Sequence, residues 1–182
     1  VAPNVVVAAS GNVDQDRLLE LSERFLGHLP GGADHVPQPA APGAPVLVTR
    51  EKPTEQYHLA LGAPGLDRSD DRRHAMAVLD VILGGSMSSR LFQEIRERRG
   101  LAYAVGTYSV GYADTGQVGV YLGTREDNLV EAAEVIAREL TRIGAEGVPA
   151  AELARAKEHL KGRLVLSLES PGTRMQRIGR AV

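Results

Sequence analysis

Apolar positions recur along this chain with two different periods, and the switches between them predict its elements. Val5 to Ala9 (VVVAA) predicts a short buried strand, followed by the turn Ser10-Gly11-Asn12. Asp14 can cap a helix over 15–29, whose apolar face carries Leu18, Leu21, Phe25 and Leu29. Residues 30–45 are rich in proline and glycine and have no periodicity, which predicts a semi-rigid linker and a domain boundary. Val46 to Thr49 predicts one strand. Gln56 to Gly62 predicts another, broken by Pro64-Gly65. The 3.6-residue period returns at 69–83, with Ala75, Val78, Leu79 and Ile82 inward and Ser69 or Asp70 as the cap.

The stretch Gly84 to Tyr103, GGSMSSRLFQEIRERRGLAY, is the one around which the chain is organised. Two glycines open a turn, and three serines offer caps for a helix starting near Ser88. Leu91, Phe92 and Ile95 form its apolar stripe, Glu94 and Arg98 are spaced to pair, and Gly100 is placed to end it. Tyr103 to Gly111 and Gln117 to Gly123 predict an antiparallel hairpin around Ala113-Asp114-Thr115-Gly116. Thr124 with Asp127 resembles a capping box for the next helix. That helix carries Leu129, Ala133, Ile136, Leu140 and Ile143 inward and ends at Gly144 and Gly147. A further helix starts near Pro149 and runs to about 168, with Leu153, Ala156, Leu160 and Leu164 in line. Ser170-Pro171 begins another. Hairpin strands with segregated helices predict an α+β fold, an antiparallel sheet with helices packed on one face.

Composition changes this picture little. Apolar residues make up 43% of the 182, enough for a packed core rather than a disordered chain. A net charge of −2 predicts no attraction to nucleic acid or to an anionic membrane. Cysteine is absent, so disulfides and thiolate metal sites are excluded, in keeping with a reducing compartment. No apolar run has the length that spans a membrane. Lysine occurs only at Lys52, Lys157 and Lys161 against many arginines, a bias of GC-rich bacterial genomes. The chain starts on a strand-like run without methionine and stops within a helical pattern, so it is read as a fragment of a longer protein.

Candidate chemistry is sparse. The histidines at 28, 35, 58, 74 and 159 form neither HExxH nor HxxEH, and no local metal site is predicted. The GGSMSSR turn has amides suited to an anion but lacks the ending of a P-loop, and none of Ser86, Ser88 and Ser89 sits in a GxSxG elbow. Glu97, Arg98 and Arg99 read as a solvated face, as do Glu131, Glu134, Arg138, Glu139 and Arg142. Gln117, Gly119 and Gly123 leave room for a neighbouring backbone such as an added peptide strand, or are ordinary strand residues. Arg96 lies at the margin of its helix's apolar face, seven residues before Tyr103. By themselves these two read as a snorkelling arginine and a packed tyrosine; the other reading is a pair of donors aimed at a peptide carbonyl.

LGGSMSSRLFQEIRERRGLAYAV resembles the C-terminal half of the pitrilysin-type zinc metallopeptidases, in particular subunits similar to mitochondrial processing peptidase. VVVAASGNVDQDRLLELSERFLGHLP is similar to the closing strand and helix of that family's N-terminal domain. HLALGAPGLDRSDDRRHAMAVLDVILGG, GVYLGTREDNL and ELARAKEHLKGRLVLSLES are similar to its second domain. The resemblance implies the LuxS/processing-peptidase-like metallohydrolase fold, with two homologous domains facing each other as a clamshell. It implies residues 1–29 as the end of the first domain, 30–45 as linker, and 46–182 as a substrate-clamping second domain lacking its end. It implies zinc held by an HxxEH motif outside this chain, no metal and no catalytic residue within it, and no zinc chemistry by this fragment alone. It also reverses the local reading of the pair: Arg96 and Tyr103 match the arginine and tyrosine that hold the peptide substrate in this family. The implied partners are a peptide, the zinc-bearing domain or a partner subunit, and a second copy in a homodimer; the implied location is the bacterial cytoplasm. The alternative is a scaffold or regulatory subunit that keeps the fold without the zinc motif.

Overall fold

The computed structural model describes residues 5–32, 39–41 and 43–181. The chain divides into two compact units, Val1–Gln38 with Lys161–Val182, and Pro39–Leu160. Residues from Lys161 onward cluster with the N-terminal residues. A Cβ on Gly179 would stand 3.1 Å from the Ala8 Cβ, and one on Gly11 would stand 3.9 Å from the Pro171 Cβ.

In the first unit, helix α1 (Gln15–Leu26) starts where the Asp14 carboxylate accepts the Arg17 backbone N–H at 2.8 Å. It ends at Gly27, short of the predicted Leu29, and buries no residue. Phe25, assigned to the apolar face, is exposed and has the Arg24 guanidinium 5.3 Å from its ring centre. Val5 to Ala9 joins no strand: no described strand lies beside it to take its backbone hydrogen bonds.

The second unit holds a three-stranded antiparallel sheet in the order β1-β3-β2, with β1 Tyr57–Gly65, β2 Ala102–Gly111 and β3 Gly116–Thr124. The predicted hairpin is β2–β3, with Gly111 opposite Gly116. Pro64-Gly65 does not break β1. Both residues pair with β3, because β1 is an edge strand and proline is tolerated where one side of the ladder is free. Val46 to Thr49 is not a strand; its three apolar side chains are exposed and it pairs with no described strand.

Helix α2 (Arg73–Leu83) begins later than predicted and has no side-chain cap. Asp67 and Asp70 cap the preceding turn instead: Asp67 accepts from the backbone of Ser69 at 2.7 Å, and Asp70 from that of Arg72 at 2.8 Å. Helix α3 (Glu126–Glu146) passes Gly144 and stops at Gly147, whose φ of 73° favours glycine. The Thr124–Asp127 capping box does not form, because the Thr124 hydroxyl is buried and donates to the Leu101 carbonyl. Helix α4 (Ala150–Ser167) follows, and Ser170 caps helix α5 (Pro171–Gly179) as expected, accepting from the Thr173 N–H at 3.4 Å.

The core explains the order of elements. Along β3, Val120 and Leu122 point to one face, where they meet Leu83, Leu91, Ile95, Val135 and Ile136. Helices α2 and α3 and the helical segment 90–98 supply these residues, so they pack on this face. The alternate positions Gln117, Gly119, Tyr121 and Gly123 fall on the other. Truncating Leu91 or Ile95, both with no exposed surface, is expected to cost ~2–5 kcal/mol.

Candidate functional site

Arg96 is carried by a helix that is not α-helical. After two α-helical residues, Arg90 and Leu91, the chain runs as a π-helix over Phe92–Arg98. Its i→i+5 bonding sets Phe92 and Arg96 nearly one above the other, while Leu91 and Ile95 face the core. Gly100 ends the helix with φ 61°, and the Leu101 N–H returns to the Ile95 carbonyl at 2.8 Å. This reversal delivers the chain into β2.

Tyr103 is where β2 is irregular. Ala102 pairs with Thr124 and Ala104 with Gly123, so Tyr103 is the extra residue of a β-bulge. The Leu101 carbonyl is fixed beneath the bulge by the Thr124 hydroxyl and by Asn128 Nδ2 at 3.0 Å. Freed from the ladder, the Tyr103 side chain is 77% exposed.

The structure brings the two candidate residues together. The Arg96 guanidinium carbon lies 4.1 Å from the centre of the Tyr103 ring and 4.8 Å from that of Phe92. Arg96 Nη1 donates to the Tyr103 carbonyl at 3.3 Å, and Nε is 3.6 Å from Glu97 Oε1. The cation therefore lies over two rings, on a side chain that is 33% exposed and beside a tyrosine that is mostly exposed. Such a pair offers donors to a carbonyl or a developing oxyanion.

The other candidates resolve differently. A Cβ on Gly84 would stand 2.6 Å from the Thr107 amide nitrogen, and one on Gly85 would stand 2.8 Å from Asp80 Oδ2. The glycines thus let the turn pack on β2, and the nearby Asp80 carboxylate opposes an anion. The Ser86 hydroxyl donates to the Val81 carbonyl at 3.2 Å, and Ser89 is buried with no hydrogen-bond partner on its hydroxyl. Ser86, Ser88, Glu152 and His159 line one hollow of about 20 Å³. Among the described residues no group of three or more His, Asp or Glu side chains is arranged to hold a metal ion. These residues therefore do not fit a zinc site.

One group escaped the sequence. Arg90 makes a two-pronged bond to Glu152, Nε to Oε1 at 3.0 Å and Nη2 to Oε2 at 2.7 Å, and its Nη1 lies 3.9 Å from Glu139 Oε2. The Arg90 side chain is 12% exposed, that of Glu139 6% and that of Glu152 20%. Glu139 is thus not on a solvated face. The hydrogen bonds from Arg90 lower the Glu152 pKa, and the same bonds raise that of Arg90. Sequence spacing hides this cluster because Arg90 and Glu152 lie 62 residues apart. The one local sign was an arginine set directly before the apolar Leu91 of the core stripe.

An apolar cleft of about 270 Å³, lined by Leu61, Met76, Leu79, Leu83, Val118 and Leu140 among others, contains neither Arg96 nor Tyr103. No described helix is long and apolar enough to cross a membrane.

The profile of the peptidase M16 inactive domain matches residues 1–160. An uncharacterised zinc protease of Streptomyces coelicolor is 42% identical over 98% of this chain, and one of Bacillus subtilis is 39% identical over 97%. The chain spans 40% and 43% of those two relatives. The crystal structure of a peptidase M16 inactive domain from Pseudomonas fluorescens superposes with a TM-score of 0.69 and 28% identity, over 93% of this chain and 40% of that one. The chain belongs to the peptidase M16 family, through its inactive C-terminal domain.

Proposed function

We propose that this chain is the substrate-clamping, non-zinc-binding part of a zinc-dependent endopeptidase, and that Arg96 and Tyr103 bind the peptide at the bond to be cut. The observation that supports this is the donor pair made by Arg96 stacked on the exposed Tyr103. A guanidinium N–H and a phenol O–H are both hydrogen-bond donors, so both can serve a carbonyl oxygen. Donors fixed before the substrate arrives favour the more negative oxygen of the transition state. Zinc is assigned to the complete protein, outside these residues, in keeping with relatives named zinc proteases. Its holder would be the preceding homologous domain, of which residues 1–29 form the end, or a partner subunit. Pairing with a second copy and a location in the bacterial cytoplasm belong to the same proposal. The test is peptide cleavage by the complete protein carrying Arg96→Ala or Tyr103→Phe. Unchanged rates in both variants would refute the assignment.

A second reading has an observation of its own. Arg96 Nη1 binds the carbonyl of the residue on whose ring it stacks, so the pair also closes the bulge on itself. In a scaffold or regulatory subunit of the same fold the pair would serve only that purpose. A complete chain that binds zinc and cuts peptides excludes that reading.

A further inference from the structure

The face of the sheet away from the helices carries a second polar group, and it lies at the same end as Tyr103. His58 and Gly123 are direct partners across β1 and β3, and Gly123 partners Ala104, next to Tyr103. The His58 and Tyr121 rings stack with centres 6.0 Å apart, and His58 Nδ1 is 2.8 Å from the Tyr121 hydroxyl. Gly123 lies between them. The point where its Cβ would stand is 3.5 Å from the Tyr121 hydroxyl, 3.6 Å from Gln56 Oε1 and 3.6 Å from His58 Nδ1. Three polar atoms from three residues therefore converge on one point that glycine leaves empty.

The other glycine of this strand has a different purpose. A Cβ on Gly119 would fall 2.4 Å from the Tyr108 ring, so Gly119 is required by packing. At Gly123 every neighbour is at ordinary contact distance, and packing does not demand glycine there. None of the positions that alternate onto this face along the three strands is Asp, Glu, Lys or Arg. A charged guest therefore finds no counter-charge on this face, whereas a carboxamide or hydroxyl finds both donors and acceptors.

We propose that Gln56, His58 and Tyr121, grouped over Gly123, form a subsite for one neutral hydrogen-bonding side chain, Asn, Gln, Ser or Thr, of the peptide substrate. This rests on the preceding assignment of Arg96 and Tyr103. His58 stands two strand spacings from Ala104, roughly 10 Å, which an extended peptide covers in about three residues. The residue read here is thus about three positions from the bond held by Arg96.

The experiment is equilibrium binding of fluorescent peptides to the complete protein, with peptide pairs that differ only in carrying Gln or Ala at that position. The unaltered protein is expected to favour Gln by about five- to ten-fold, the worth of one or two neutral hydrogen bonds. Gly123→Ala, which fills the point at ordinary contact distances, and Tyr121→Phe are expected to abolish the preference while leaving affinity for the Ala peptide unchanged. Equal binding of the two peptides at every scanned position, or an equal loss for both in the variants with unaltered thermal melts, would overturn the proposal. Arg96→Ala separates the two ideas. Weakened binding of both peptides with no Gln preference sinks the subsite alone; a retained preference with no effect of Arg96→Ala sinks the clamping assignment.

Discussion

The Arg96 guanidinium lies 4.1 Å from the centre of the Tyr103 ring, across a glycine stop and at a β-bulge. Neither residue reaches this position by helix or strand regularity. A π-helix sets one, and a register shift frees the other.

Replacing Arg96 by alanine is expected to lower kcat/KM for peptide cleavage by the complete protein by about 10²–10³, the loss seen when one oxyanion donor is removed. The fold is expected to lose only ~0.5–1 kcal/mol, the value of an exposed cation–π contact. Arg96→Lys is expected to recover little activity, since an ammonium has no planar face to stack on the rings. Steady-state kinetics alongside urea denaturation separate the effects. A large loss of stability with unchanged kinetics would favour the scaffold reading.

Gly100 has a φ of 61° and no atom within 4 Å of a Cβ added there, so Gly100→Ala meets backbone strain and nothing else. A loss of ~1 kcal/mol is expected in urea melts. If the reversal relaxes, Arg96 and Tyr103 separate and activity falls as well.

The Arg90–Glu152 pair is nearly buried, and removing one partner strands the other. Arg90→Ala is expected to cost ~2–4 kcal/mol, somewhat below a fully buried pair because Glu152 keeps 20% exposure. The double variant Arg90→Met with Glu152→Leu is expected to cost less than Arg90→Ala alone. Chemical denaturation of the three proteins checks this.

Acid stability follows from the same pair. The folded-state pKa of Glu152 is depressed, so its contribution is complete above the unfolded value near 4.5 and is lost as pH falls below it. Asp70, held at about 2 by its bonds to Arg72, loses its contribution between pH 3.8 and about 2. Glu152→Gln is expected to flatten the stability curve below pH 4.5 and leave the Asp70 step in place. Urea midpoints between pH 2 and 6 measure both.

Ser89 is buried, and its hydroxyl has no partner. Ser89→Ala is expected to leave stability unchanged or raise it slightly, because an unsatisfied hydroxyl costs free energy on burial. Peptide cleavage is expected to be unaffected. A loss of activity without a loss of stability would instead give the Ser89 hydroxyl a part in the chemistry.

What the sequence by itself determined are the features with a local cause. The hairpin β2–β3 follows from alternation around Gly116, the stop at Gly100 from a φ only glycine adopts cheaply, and the Asp14 and Ser170 caps from side chains three residues before the amides they bind. The family resemblance lay in the central motif, and with it came the choice of Arg96 and Tyr103. Tertiary structure decided whatever needed a distant partner. Val5 to Ala9 and Val46 to Thr49 have strand composition but pair with no described strand. Thr124 left its helix cap for the Leu101 carbonyl, and Glu139 and Glu152 met Arg90 in a place no spacing rule foretells. The stacking of Arg96 on Tyr103 belongs to this second class, because it required the π-helical turn and the bulge together, and each exists only where the core holds Ile95 and Leu101 in place.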